Sequence, residues 1–218
     1  MILHLENAID SGTLGALIEA IQNEDFTDGV ETAGRAAQAV KLNRQLRLQG
    51  GQPTALRLLL EHLQQNPLLN SAALPKTFTN VMVNQYQTGM EYGLHMDDAL
   101  MGHARTDISF TLGLTDVEQF EGGELVLEDT TGERSWKLGR GELLLYPSHY
   151  LHRVNPVRNG ERLAMVGWIQ SHIRDSQQRE ILFDLKCSMS EEFEQRGKTG
   201  QYDRLSKSYN NLLRRWAE

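Results

Sequence analysis

His95 and Asp97 stand two residues apart, His152 follows in a later segment, and Arg162 comes ten residues after that. Two imidazoles and one carboxylate around a common centre hold a ferrous ion on one face and leave the opposite face open, the arrangement of non-haem iron oxygenases. A guanidinium nearby can grip a carboxylate of a second acid ligand through two parallel hydrogen bonds. The His-x-Asp spacing is not specific by itself. With 7 histidines and 11 aspartates in 218 residues, chance supplies about 0.35 such pairs.

Residues i and i+2 of a strand share a face, so His95 and Asp97 project together into a barrel interior, and Asp98 points to the opposite side. An ordinary solvated carboxylate or turn cap is the reading for Asp98. His149 and His152 compete as distal ligand. His149 follows Pro147-Ser148 in a loop, whereas His152 begins the strand Leu151-His152-Arg153-Val154, and His152 is taken. A two-residue Asn159-Gly160 turn pairs Val157 with Arg162 and puts Arg162 on the wrong face. A three-residue loop, Arg158-Asn159-Gly160, pairs Pro156 with Arg162 and restores a shared face with His152. Both turns fit the sequence. Tyr86 and Tyr92, upstream of His95, are candidates for a phenolic donor and a cavity wall, against the commoner role of strand aromatics as packing.

The elements that must position these groups change character along the chain. Leu14, Leu17, Ile18 and Ile21 predict a helix capped by Asp10 or Ser11, and Leu56, Leu59, Leu60 and Leu63 predict a second, opened by Pro53-Thr54. Gly50–Gln52 and Asn70–Lys76 read as loops, and Ala33–Leu48 is mixed. From about Thr77, short strands alternate with glycine turns: Thr79–Tyr86, Asp107–Leu114 (half-buried, with Ile108, Phe110 and Leu112 inward), Glu124–Leu127, Ser135–Leu138, Leu143–Tyr146, and a strand pair around Arg158-Asn159-Gly160 ending at Leu163–Ile169. That density predicts an all-β sandwich or barrel. After Ser171, Tyr202, Leu205, Tyr209, Leu212 and Trp216 form one helical stripe, read as core-facing and able to pack in cis or across a homodimer. The expected fold is mainly β with flanking α-helices. It divides into an N-terminal helical or mixed segment (1–76), a core (77–173) and a C-terminal helical extension (174–218).

A net charge of −7 argues against a duplex nucleic-acid binder, which needs a basic stripe. A hydrophobic content of 39% supports a core of ordinary size. With one cysteine, Cys187, no internal disulfide forms, and a reducing compartment is expected. Cys187 itself reads as a small apolar helix residue. The N-terminal residues lack the cationic start and apolar run of a signal peptide, and no stretch reaches the length of a membrane span. A cytoplasmic protein with no membrane partner is expected.

Asn84-Gln85-Tyr86, Gly93-Leu94-His95-Met96-Asp97 and Arg105-Thr106-Asp107-Ile108-Ser109 together resemble the bacterial PKHD-type hydroxylases, Fe(II)/2-oxoglutarate-dependent dioxygenases similar to the prolyl hydroxylases. Gly122-Gly123-Glu124-Leu125, Leu145-Tyr146-Pro147-Ser148, Leu151-His152, Pro156-Val157, and Gly160-Glu161-Arg162 through Trp168-Ile169-Gln170-Ser171 extend the likeness. It is dense from Thr79 to Ser171, and Asp28-Gly29 and Thr32-Ala33-Gly34 match the family's N-terminal segment. The loop Asp98–Arg105, with His103, departs from the family pattern.

The resemblance implies a double-stranded β-helix, or jelly roll, with iron at His95, Asp97 and His152. It implies 2-oxoglutarate on Arg162, with Tyr86 at a less securely transferred cosubstrate position. The implied reaction uses O2 to hydroxylate an unidentified substrate, forming succinate and CO2, with L-ascorbate keeping the iron ferrous. The family's association with iron acquisition implies an iron-related small molecule or a protein side chain as substrate. Two other readings of the residues remain: a cupin-like metal-dependent isomerase or hydrolase, for which Arg162 is dispensable, and a non-enzymatic iron-binding or sensing protein, which forms no succinate.

Overall fold

The computed structural model describes residues 1–22, 24–32, 34–46 and 54–218. The expected loop at Gly50–Gln52, Pro53, and Ala33, Arg47 and Leu48 of the mixed stretch lie outside the described residues. A short strand, β1 (Leu3–Leu5), precedes helix α1 (Ser11–Ile21), whose Asp10 cap accepts a hydrogen bond from the Thr13 amide at 2.9 Å. Then come β2 (Phe26–Asp28), α2 (Arg35–Gln38), β3 (Lys41–Leu42), β4 (Arg44–Leu46) and α3 (Thr54–Gln65). Leu14, Leu17 and Ile21 of α1 and Leu56, Leu59 and Leu63 of α3 are buried at the expected spacing.

Asn70–Lys76 is not a loop. Asn66 accepts from the amides of Leu68 and Leu69, and Pro67 sits in the first turn, so helix α4 (Pro67–Ala73) runs through Asn70. An Asn cap followed by proline starts a helix, a stronger local signal than the later Pro75. The helix ends on Leu74 at φ 43°, and strand β5 (Pro75–Gln87) follows at once.

The β core continues with β6 (Glu91–His95), the small hairpin β7 (Leu100–Met101) and β8 (Ala104–Arg105), and β9 (Ile108–Gly113). Next are β10 (Phe120–Gly122), β11 (Leu125–Asp129), β12 (Gly132–Trp136), β13 (Leu143–Pro147), β14 (Leu151–Val154) and β15 (Val157–Ser171). Helices α5 (Ser176–Arg196) and α6 (Gly200–Trp216) close the chain. The larger sheet runs β1-β13-β9-β15-β5-β4-β2, with β10 also on β15, and the smaller runs β12-β11-β14-β6-β3. The pairings are antiparallel. Tyr86, Phe120, Leu125, Leu127, Leu144, Tyr146 and Val157 pack together, drawn from strands of both sheets. Val81, Val83, Phe110, Leu112, Leu143, Leu145 and Met165, on the other face of the larger sheet, pack with the leucines of α1 and α3. Two facing antiparallel sheets with helices on one outer face form the expected jelly roll.

Neither hairpin considered for Asn159-Gly160 forms. Both residues lie inside the continuous strand β15, which pairs with β5, β9 and β10, whereas β14 belongs to the other sheet. The chain changes sheets between Val154 and Val157. Gly160 has φ +80°, and a Cβ there would stand 2.1 Å from the Gln119 carbonyl oxygen. Its left-handed backbone therefore serves a close strand approach rather than a turn. Strand β9 also departs from the expected half-buried pattern, since all its residues are buried. Its polar side, Ser109 and Thr111, faces the space between the sheets instead of water. The stripe of α6 forms as a helix but packs on α5, through contacts such as Phe193 with Tyr202 at 5.3 Å, and none of its residues is buried. Cys187 lies in α5 and is exposed.

Candidate active site

The larger sheet and β6, β14 and β11 of the smaller one enclose a cavity of about 710 Å³. His95 ends β6, and His152 is its register partner on β14, so the ladder itself sets the two imidazoles side by side with centroids 4.2 Å apart. Asp97 lies two residues past the strand end. One ligand atom from each of His95, Asp97 and His152 falls within 4.8 Å of the others. His95 Nδ1 is 2.8 Å from the Gly93 carbonyl oxygen, and His152 Nδ1 is 3.1 Å from that of Tyr150. A carbonyl only accepts, so each Nδ1 carries the proton and each Nε2 presents a lone pair. His152 Nε2 stands 3.7 Å from Asp97 Oδ1. The Tyr92 ring stacks on His95 at 3.6 Å and 13°.

Burial, then the neighbouring His152, depresses the His95 pKa to about 4. An imidazole lowered below its unfolded value binds fewer protons folded than unfolded between about pH 6.5 and 4, so its stabilising contribution is complete above that window and lost on descending through it. The metal-free protein is expected to melt at progressively lower temperature from pH 6.5 to 4, and a His95→Gln variant to show a flatter profile.

Asp97 is oriented from behind. Ser109 on β9 donates to Asp97 Oδ2 at 2.6 Å and lies 2.8 Å from Ser148 Oγ. Such outer partners fix the lone pairs that a metal uses. Ser109→Ala is expected to weaken Co(II) binding roughly 10- to 100-fold without unfolding the protein, as read by absorption titration.

Arg162 pairs across β15 and β5 with Tyr86, and its guanidinium sits 5.2 Å from the Tyr86 ring centroid. Both residues are 2% exposed. No carboxylate among the described residues forms an ion pair with Arg162. Glu124 is near enough to favour the cation but is hydrogen-bonded to Asn155 at 3.2 Å. Tyr146, hydrogen-bonded to Thr111, completes this end of the cavity, and burial pushes the Tyr86 and Tyr146 phenols up, so both stay protonated donors. Gly123, at φ +68°, lies against the guanidinium stem, where a Cβ would meet Arg162 Cδ at 2.9 Å. Gly123→Ala is expected to cost about 1 kcal/mol of stability from backbone strain.

His95, Asp97, His152, Arg162 and Tyr86 thus line one cavity, together with Tyr92. His149 does not join them; it is exposed in the turn after β13, edge-on to Tyr150 at 4.8 Å. His103 is exposed at the tip of the β7–β8 hairpin. Asp98 is also exposed but borders the cavity instead of facing away, because β6 ends at His95 and strand parity lapses beyond it. Its carbonyl accepts from the Thr106 hydroxyl. Ser109, Ser148, Tyr146 and Gly123 stand in the segments that carry the family resemblance but had no site role in the sequence reading, and Lys41 was not singled out. Ser109 carried a readable signal, being on the polar side of an alternating strand, whereas Tyr146 was hidden in an apolar run.

Two neutral imidazole nitrogens and a carboxylate suit Fe(II), and a buried guanidinium without an ion-pair partner among the described residues suits an anionic ligand. Residues 81–170 match the family model of the 2OG-Fe(II) oxygenase superfamily, and residues 176–218 match that of the PKHD-type hydroxylase C-terminal domain. A PKHD-type hydroxylase of Idiomarina loihiensis is 51% identical over 218 residues, covering 100% of both chains. A prolyl-4-hydroxylase of Pseudomonas putida shares the fold at a TM-score of 0.60 and 19% identity, over 78% of this chain and 92% of that one. A prolyl hydroxylase of Trichoplax adhaerens, solved with a peptide fragment of the hypoxia inducible factor oxygen degradation domain, does so at 0.62 and 17%, over 83% and 86%. Full-length identity at this level, on a jelly roll of the oxygenase type, means that the chain belongs to the PKHD-type hydroxylases of the 2OG-Fe(II) oxygenase superfamily, enzymes that use ferrous iron and 2-oxoglutarate.

Proposed function

We propose that His95 Nε2, Asp97 and His152 Nε2 hold Fe(II), and that Arg162, flanked by Tyr86, binds the distal carboxylate of 2-oxoglutarate. The bound iron and cosubstrate supply O2 activation: 2-oxoglutarate is oxidised to succinate and CO2, and one oxygen atom enters a C–H bond of the substrate. The chain's own residues bind, orient and exclude water. Ser109 fixes the Asp97 carboxylate, the Gly93 and Tyr150 carbonyls fix the imidazole tautomers, and the buried wall around Tyr86 and Tyr146 keeps the cosubstrate end dry.

The observation that carries this reading is a buried guanidinium, with no ion-pair partner among the described residues, facing the same cavity as the His/Asp/His cluster. The isomerase and sensor readings leave Arg162 dispensable. The catalytic unit is assigned to 77–173, with 174–218 as a helical extension. Residues 1–76 supply leucines of α1 and α3 to the core of that unit. Ascorbate is assigned to keeping the iron ferrous, and a reducing cytoplasm to the chain's setting, which suits the exposed thiol of Cys187. Among the described residues, no helix is long and apolar enough to cross a membrane. The test is anaerobic addition of Fe(II) and 2-oxoglutarate followed by visible absorption. A metal-to-ligand charge-transfer band supports the assignment, and its absence in the parent protein overturns it.

A further inference from the structure

Tyr92 and His95 stand three residues apart on β6, a spacing that puts two side chains on opposite faces of a regular strand. Here they share a face. His152 pairs with His95 and Val154 with Tyr92, so two residues of β6, Gly93 and Leu94, oppose the single residue Arg153 of β14. The extra residue is a β-bulge, a device that re-aims side chains beside active sites. Only glycine fits it. The Gly93 amide donates to the Val40 carbonyl at 2.8 Å, and a Cβ would stand 2.8 Å from Val40 Cβ. The Gly93 carbonyl in turn accepts from His95 Nδ1 at 2.8 Å. The bulge thus ties down one end of the imidazole and brings the Tyr92 ring over its face.

The stack is a poor arrangement for two uncharged rings. The centroids lie 3.6 Å apart at 13°, an ordinary carbon–carbon contact distance, which leaves little lateral offset. Aromatic rings carry negative faces, so pairs favour offset or edge-on geometry over a face-to-face sandwich. The other described ring pairs are tilted or edge-on. Tyr146 meets His152 at 5.3 Å and 64°, and Tyr150 meets His149 at 4.8 Å and 70°. A sandwich becomes favourable when one ring is electron-poor. An imidazole that gives its Nε2 lone pair to a divalent ion shares the charge of that ion, and an aromatic face attracts positive charge. The Tyr92 ring already draws one cation: Lys41, its register partner on β3, holds its ammonium 5.2 Å from the centroid.

We propose that Tyr92 is a positioning residue of the metal centre: its ring sets the plane of the His95 imidazole and holds that imidazole more strongly once the ion is bound, so the stack adds to metal affinity. The proposal rests on the reading of His95, Asp97 and His152 as the metal ligands. Tyr92 acts through His95 and by its ring face; the phenol oxygen is not needed.

Co(II) is the probe. It is titrated by absorption into the parent, Tyr92→Phe, Tyr92→Leu and Tyr92→pentafluorophenylalanine, the last of which keeps the ring and reverses the charge of its face. Proton NMR of each cobalt form follows the Nδ1 protons of His95 and His152, which the ion shifts far from the ordinary range and which vanish in D2O. Tyr92→Phe keeps the face and should bind cobalt as the parent does. Tyr92→Leu and the fluorinated variant should each bind roughly tenfold more weakly, and one of the two shifted protons, not both, should move. The fluorinated ring fills the same space, so it decides the matter even where leucine unsettles the fold. Parent-like affinity with unmoved protons in the fluorinated variant overturns the proposal. A loss in Tyr92→Phe equal to that in Tyr92→Leu does so too, because the phenol would then be the active part. A parent that binds no cobalt, or lacks the pair of shifted protons, sinks the metal-ligand reading and the proposal with it. A parent that shows both, with affinity indifferent to position 92, sinks the proposal alone.

Discussion

Arg162→Ala is expected to abolish saturable 2-oxoglutarate binding while leaving metal binding unchanged. The guanidinium is buried, and the diacid carboxylate it would receive exchanges water for a bidentate, charge-assisted contact. Removing one partner of a buried ion pair costs about 3–5 kcal/mol, or roughly a hundred- to several-thousand-fold in affinity. The protein without cosubstrate responds differently. No carboxylate among the described residues forms an ion pair with Arg162, so its loss removes a buried charge that only the more distant Glu124 favours, together with the packing of its stem against Gly123. Thermal stability of the cosubstrate-free variant should stay near the parent value. Arg162→Lys keeps the charge but not the planar fork, and is expected to fall between the two. The measurement is Co(II) titration alongside the anaerobic charge-transfer band: cobalt binds as before, and the band is lost. A normal band in Arg162→Ala would remove this residue from the cosubstrate site.

Much of the site was legible because His95, His152, Arg162 and Tyr86 lie on strands, whereas Asp97 lies beyond the end of β6, where strand parity lapses. His95 and His152 became cross-strand partners, and Arg162 and Tyr86 likewise, although nothing local to either sequence segment announces the pairing. The argument from turn length at Asn159-Gly160 was sound for a hairpin, but a jelly roll passes the chain between sheets where a hairpin would return it. Gly160 is then glycine for a close approach to the Gln119 carbonyl, a contact no local pattern encodes. The polar face of β9 misled in the same way. Ser109 and Thr111 look solvated by alternation alone, yet they face the site, so polar alternation in a barrel marks a lined cavity as readily as a wet surface. Helix α4 replaces the expected loop because Asn66-Pro67, upstream of that stretch, starts a helix that runs through Asn70 before Pro75 is reached. His152 was preferred to His149 from its strand position, and the resemblance to a family then matched the same His95, Asp97, His152 and Arg162 to iron and cosubstrate positions.

The second large effect concerns Asp97, the one anionic group in the candidate ligand set. Asp97→Ala leaves two neutral imidazoles facing a divalent ion, with no charge to offset its desolvation. Loss of metal-dependent turnover by three orders of magnitude or more is expected, and a thermal readout separates this from misfolding. A metal that binds the native state alone stabilises the parent by about 2.7 kcal/mol at a hundredfold excess over its dissociation constant. That increment should vanish in Asp97→Ala. The metal-free variant should fold as well as the parent, because the Ser109 hydroxyl freed by the change still has Ser148 Oγ 2.8 Å away. Asp97→Glu is a sharper case. It keeps the charge but adds a methylene at a position 2.6 Å from Ser109 Oγ and 3.7 Å from His152 Nε2, so the carboxylate overshoots the point on which both imidazoles converge. Cobalt should bind it more weakly than the parent and more tightly than Asp97→Ala. A full metal-induced stabilisation in Asp97→Ala would mean that the ion sits elsewhere.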